Sequence, residues 1–239
     1  CWLKVYQIPQ ASRGAKGRPL VNMLPLEDGE RITAIQPVGN FEEDAFVFMA
    51  TANGTVKKTP LEQFSRPRPS GLIALQLEEG NTLVDVSMTD GHRDIVLVSS
   101  VGKAVRFKES DVRAMSRTAR GVRGIRLLAD QQLIALIVPE DGGYMLTAAE
   151  FGYGKRTLIS EFPVRGRGTQ GVIAIQTSER NGNVIGARQV FEGEEIMLIS
   201  DQGTLVRTSV DEVSVVGRNT QGVRLIALRE TEKLVGVER

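Results

Sequence analysis

Five basic stretches recur along the 239-residue chain. They are Arg13-Gly14-Ala15-Lys16-Gly17-Arg18, Arg66-Pro67-Arg68-Pro69-Ser70-Gly71, Arg117-Thr118-Ala119-Arg120-Gly121, Arg165-Gly166-Arg167-Gly168-Thr169-Gln170-Gly171 and Arg218-Asn219-Thr220-Gln221-Gly222. Each sets cations among small residues. Small residues let a backbone approach a phosphate and offer N–H or hydroxyl donors to its oxygens. A second series of cations follows turn glycines: Lys57 and Lys58 after Gly54, Lys103 and Arg106 after Gly102, Lys155 and Arg156 after Gly152, Arg207 after Gly203. The candidate phosphate contacts are therefore Arg13, Lys16, Arg18, Lys57, Lys58, Arg66, Arg68, Lys103, Arg106, Lys108, Arg117, Arg120, Arg123, Lys155, Arg156, Arg165, Arg167, Arg207, Arg218 and Arg224. No helix carries the Asn, Gln and Arg set that reads base edges, and no aromatic platform suits single strands. The pattern selects duplex DNA, held through its backbone.

Other chemistry fails on residue supply. His92, the only histidine, lies in the turn-like string Asp90-Gly91-His92-Arg93-Asp94, and Cys1 is the only cysteine. One of each makes no zinc site. Glu42-Glu43-Asp44 and Glu192-Gly193-Glu194-Glu195 read as solvated acidic loops rather than a divalent-metal site. Gly152-Tyr153-Gly154 and Gly166-Arg167-Gly168 fall short of a nucleotide-binding fingerprint. Ser99-Ser100 has no base partner, so no catalytic residue and no metal ligand is assigned.

The elements that must position the cations repeat with the same period. Gly54, Gly102, Gly152 and Gly203 are spaced 48, 50 and 51 residues apart, and Gly17, Gly71, Gly121, Gly171 and Gly222 are spaced 54, 50, 50 and 51. Each unit reads as four short strands. One precedes the turn (46–49, 95–98, 144–146, 196–199) and one follows it. A third follows the second glycine (73–77, 122–127, 172–176, 223–228), and a fourth closes the unit (83–86, 133–138, 184–188, 234–237). Thr59 to Phe64 is the best helical candidate, at about one turn. Four strands in about fifty residues is the content of a propeller blade. The expected fold is all-β, an array of four-stranded blades at roughly 1–45 (partial), 46–93, 94–142, 143–194 and 195–239, in one domain. Cys1 and Trp2 align inside a strand, so the chain is expected to begin within a blade.

Charge follows the repeat. The chain is near neutral, at +1 with pI ≈ 8.1. Yet residues 1–18 carry +4, 51–71 carry +3, 101–126 carry +6, 151–171 carry +3 and 203–224 carry +1. The segments between them carry −5, −4, −4 and −3, and 225–239 carry 0. Equivalent positions in an array of blades share a radius, so the positive segments form one curved track. No apolar run approaches the roughly 18 residues of a membrane helix, and a single cysteine suits a reducing compartment. Two rival readings are a propeller used as a protein-interaction platform and a propeller enzyme acting on sugars. The first needs no basic track; the second needs axial aromatics, and Trp2 is the only tryptophan.

Several strings resemble the C-terminal domain family of bacterial DNA gyrase A. They are Lys4 to Pro9 with Arg13 to Pro19, Phe48 to Thr59, Val105 to Ser110, Gly152 to Thr157 and Val216 to Gly222. The resemblance runs the length of the chain. It implies a β-pinwheel, with propeller-like blades that exchange strands, and a rim that wraps duplex DNA for ATP-driven negative supercoiling. It also implies gyrase B and the rest of gyrase A as partners, and a cytoplasmic, chromosome-associated location. ATP and Mg would act elsewhere in the holoenzyme, with no cofactor in this chain. The family's signature box, of the form Gln-Arg-Arg-Gly-Gly-Lys-Gly, is matched only loosely by Gln10 to Gly17, which reads as an ordinary rim loop. Neither the cleavage tyrosine nor the ATPase site maps onto Tyr6, Tyr144 or Tyr153.

Overall fold

The computed structural model describes residues 1–27, 29–41, 44–68 and 70–239. The first sequence unit with strands holds β1 (Phe46–Thr51), β2 (Thr55–Pro60) and β3 (Leu83–Thr89). Next come β4 (Asp94–Ser99), β5 (Lys103–Lys108), β6 (Val122–Arg123) and β7 (Leu133–Ile137). The third unit has β8 (Tyr144–Ala149), β9 (Tyr153–Leu158), β10 (Val172–Ile173) and β11 (Val184–Val190). The last has β12 (Glu195–Ser200), β13 (Leu205–Ser209), β14 (Val223–Arg224) and β15 (Leu234–Glu238).

The all-β expectation holds, and so does strand exchange. Sheet orders are β3-β1-β2-β6, β10-β5-β4-β7, β11-β8-β9-β14 and β13-β12-β15, every pairing antiparallel. Thus β6 completes the sheet of the unit before its own: Val122 pairs with Val56 and Arg123 with Thr55. β10 pairs with β5 of the preceding unit, and β14 with β9, in the same way. The expected boundaries therefore mark units of sequence, while the sheets straddle them. The strands expected after the second glycine shrink to two residues, because only those two reach the neighbouring edge. Residues 73–77 form no strand.

Cys1 and Trp2 are not in a strand either. The described residues before Phe46 hold only 3-10 turns at Val5–Gln7 and Leu20–Met23. No described strand pairs with this segment, and an unpaired segment builds no ladder. The one-turn expectation near Thr59 is met by a 3-10 helix at Leu61–Phe64.

Alternation along β4 explains the stacking. Ile95 and Leu97 pack with Phe48, Val56 and Phe107 on one side, while Val96 and Val98 pack with Met145, Ile159 and Phe162 on the other. Both faces of the strand are apolar, so the sheet needs a neighbour on each side. Strands β3, β7, β11 and β15, each at one edge of its sheet, pack successively against one another along the array. The donated strands β6, β10 and β14 lie at the opposite edge of the first three sheets, the edge termed the rim.

Gly54, Gly102 and Gly152 of one glycine series and Gly121, Gly171 and Gly222 of the other stand where units cross. The Gly102 carbonyl accepts the N–H groups of Ala174 (2.8 Å) and Ile175 (3.1 Å) from the next unit. A Cβ on Gly102, which has φ +73°, would stand 2.2 Å from the Ile175 carbonyl oxygen. On the other side, a Cβ on Gly171 (φ +76°) would stand 2.2 Å from the Ala104 carbonyl oxygen. Only glycine adopts this conformation freely and leaves room for the crossing.

Candidate nucleic-acid interface

Three of the five basic loops, at 117–121, 165–171 and 218–222, are anchored at both ends on the unit before them. A parallel bridge joins Ala114 to Lys58, Val164 to Arg106 and Val215 to Arg156. The donated strands β6, β10 and β14 fasten the other end. The segments between are held along the rim with their side chains turned outward. Arg13, Lys16, Arg18, Arg66, Arg68, Arg120, Arg123, Arg165 and Arg224 are exposed, and Lys103, Arg117, Arg167 and Arg218 are half-buried. A shallow depression of ≈ 410 Å³ lies among Arg66, Arg68 and Arg117, with Glu62 on its wall. Pro69 of this loop falls outside the described residues.

Four of the sequence candidates are buried, and a fifth, Arg106, is half-buried and turned inward. Lys57 is 0% exposed, and its ammonium donates to the Ala74 carbonyl (2.7 Å) and to that of Arg117. Lys155 is 1% exposed and donates to the carbonyls of Gly217 (2.7 Å) and Arg218 (2.6 Å) and to Thr220 Oγ1 (3.1 Å). Burial lowers both lysines from 10.5 to about 8; Arg117 adds to the effect at Lys57, while Glu161 opposes it and Arg218 adds to it at Lys155.

Lys58, Arg106 and Arg156 form a clip that repeats at one register. Lys58 donates to the Glu109 carbonyl (3.3 Å) and pairs with its carboxylate (3.7 Å). Arg106 Nη1 donates to the Ile159 carbonyl (3.0 Å), and Arg156 Nε to the Val213 carbonyl (2.7 Å). Every acceptor belongs to the 3-10 turn of the following unit or the residue after it. These cations lie between neighbouring sheets, where they satisfy carbonyls that no ladder reaches. Two further candidates are exposed but paired: Lys108 with Asp94 (2.7 Å) and Arg207 with Glu195. Burial raises Asp94, but hydrogen bonds from Lys108 and Arg106 outweigh it and hold the carboxyl below its usual range.

Some exposed cations lie outside the sequence candidates. Arg113 and Arg126 are exposed inside the most positive segment. Arg180 sits within an otherwise acidic segment, 4.7 Å over the Tyr153 ring, with Arg224 at 5.7 Å. Arg224 Nη2 donates to the Tyr153 hydroxyl (3.2 Å), and Arg224 and then Arg180 lower the phenol from its ordinary value. No run or motif in the sequence signals this cluster.

His92 occupies an exposed turn, its N–H donating to Asp90 Oδ1 (2.9 Å). Glu42 and Glu43 fall outside the described residues. Among the described residues, no group of three or more His, Cys, Asp or Glu is placed to hold a metal, and no helix is long and apolar enough to cross a membrane.

A family model described as "DNA gyrase C-terminal domain, beta-propeller" matches residues 2–39, 45–90, 93–140, 143–190 and 194–239. Among curated proteins, the DNA gyrase A subunit of Klebsiella oxytoca is 58% identical over 238 residues, covering 100% of this chain and 27% of the relative. The DNA gyrase A subunit of Escherichia coli strain K12 is 56% identical over 237 residues, again covering 27% of the relative. A solved DNA gyrase A C-terminal domain superposes with TM-score 0.83 at 26% identity, over 93% of this chain and 75% of that one. A solved C-terminal domain of DNA topoisomerase IV gives TM-score 0.85 at 26% identity, over 93% of this chain and 70% of that one. The chain thus spans less than a third of the length of these curated relatives.

Proposed function

The chain belongs to the DNA gyrase C-terminal domain family, and from that premise we propose that it wraps duplex DNA, without reading sequence, around its basic outer rim. The wrap serves negative supercoiling by a type II topoisomerase assembled with the rest of gyrase A and with gyrase B, in the cytoplasm and on the chromosome. ATP hydrolysis and strand cleavage belong to those other parts. The supporting observation is the repetition of the basic loops: five carry exposed or half-buried cations, and three of them are fastened in the same way to the sheet before.

Smooth bending of 20–30 bp through 40–90° costs about 1–6 kcal/mol. One patch cannot offset that along an arc, whereas contacts repeated in every unit can. With about two phosphates neutralised per loop, roughly 8–10 counterions leave the duplex, and log K falls against log salt with a slope of about −7 to −9. Binding of a labelled duplex across a salt series measures it. A slope of magnitude below about 3 rules out a multi-loop track. Relaxed circular DNA, treated with topoisomerase I in the presence of the chain, should shift in linking number.

A further inference from the structure

The rim loops share a contact that charge alone does not require. Arg117 Nη1 donates to the Ile73 carbonyl at 3.1 Å, Arg167 Nη1 to the Arg123 carbonyl at 2.9 Å, and Arg218 Nη1 to the Ile173 carbonyl at 3.2 Å. The three donors stand four residues before Gly121, Gly171 and Gly222; the three acceptors stand two residues after Gly71, Gly121 and Gly171. Each link therefore ties a loop to the one before it. Backbone bonds follow the same path: the Arg126 N–H donates to Thr169 (2.8 Å), Gly168 to Gly124 (2.6 Å) and Gln176 to Thr220 (2.9 Å). Arg167 Nε also donates to the Asp111 carbonyl at 2.9 Å.

A guanidinium has five N–H donors in a fixed plane. Arg117 and Arg218 each spend one on the tie and Arg167 spends two, which leaves the rest of the fork on the rim. A lysine would supply the charge but not the planar fork.

We propose that Arg117, Arg167 and Arg218 are positioning residues whose guanidinium–carbonyl links set the distance between successive phosphate-binding loops, and so the curvature imposed on DNA. This rests on the wrapping reading. Independently mobile loops would follow a straight duplex and bind it with little bend. Loops tied at fixed separation match phosphates only along an arc, so the duplex must bend to use them all.

The test is the triple variant R117K/R167K/R218K, which conserves every charge. With every charge kept, the salt slope on a linear duplex should stay within about 1 of the parent, and affinity is measured alongside it. The linking-number shift on relaxed circles should fall by at least about half, and the amides of Gly168 and Gln176 should exchange faster with solvent. An unchanged linking-number shift overturns the proposal. So does a shift that falls only in step with affinity, since the arginines would then be plain charge contacts. Should the triple variant melt below the assay temperature, R218K alone, which breaks one link of three, should lose about a third of the effect in the same assays. A parent chain that binds DNA without shifting linking number refutes wrapping itself, a result separable from failure of the links.

Discussion

Arg156 and Arg120 are both arginines in the basic half of a repeat, yet the structure assigns them opposite work. Arg156 is 8% exposed; its Nε donates to Val213 at 2.7 Å, and its guanidinium lies 4.7 Å over the Tyr144 ring. Bonds to Asp211 at 3.4 Å are long and add little. Arg156→Met keeps the apolar stem packed but removes one good charge-assisted hydrogen bond, about 1.5–3 kcal/mol, and leaves a carbonyl unpaired between sheets. Loss of the ring contact adds about 0.5–2 kcal/mol, and relief from guanidinium desolvation offsets part of the sum. A net destabilisation of about 2–3 kcal/mol follows, a fall in Tm of about 4–12 °C for a chain of this size. The salt slope of DNA binding should not move.

Arg120 is exposed, with no side-chain partner among the described residues. Arg120→Ala should leave stability within about 0.5 kcal/mol and reduce the magnitude of the salt slope by about 1. Urea denaturation and salt-dependent duplex binding on both variants complete the comparison. If R156M flattens the slope without loss of stability, the clip is wrong and Arg156 is a rim contact after all.

Lys155 sits at about 8 in the folded chain against 10.5 ordinarily, so between those values the unfolded chain holds the extra proton. Parent stability relative to K155M should therefore rise through that window, by up to about 1.4 kcal/mol per pH unit, and stay level below it. Urea midpoints of both proteins at about pH 7.5 and about pH 9.5 decide it; a flat or narrowing gap sinks it. Gly102→Ala combines a disfavoured backbone with a clash at the Ile175 carbonyl and should cost at least about 3 kcal/mol. Gly193→Ala, at φ +78° in open space, should cost only about 1 kcal/mol, and equal melting of the two would remove the seam as the reason for glycine.

Residues with a local cause were legible in the sequence. The glycine spacing revealed the repeat because each crossing admits no side chain at Gly102 or Gly171. The apolar runs 95–98 and 196–199 revealed strands because alternate residues pack against different sheets. The strand exchange was not readable from the residues themselves, because β6 pairs with β2 across about 66 residues of chain and only two residues make the ladder. Counting charge also misleads at two adjacent registers. Lys57, Lys58, Arg106, Lys155 and Arg156 contribute to the positive segments, but carbonyls of the loops packed against them draw them inward. A cation buried to satisfy carbonyls and a cation held out for phosphate look alike until both neighbours are in place. Arg180 was hidden the opposite way, outnumbered by the acids around it.

Completion of the first three sheets by a borrowed strand has a mechanical consequence. A rim loop pulled outward by a taut duplex tugs through β6, β10 or β14 on the previous sheet as well as on its own. Force entering at one point is shared by two units before any ladder opens, as lacing spreads strain across eyelets. An array of self-contained blades joined only by linkers would tear at its weakest joint.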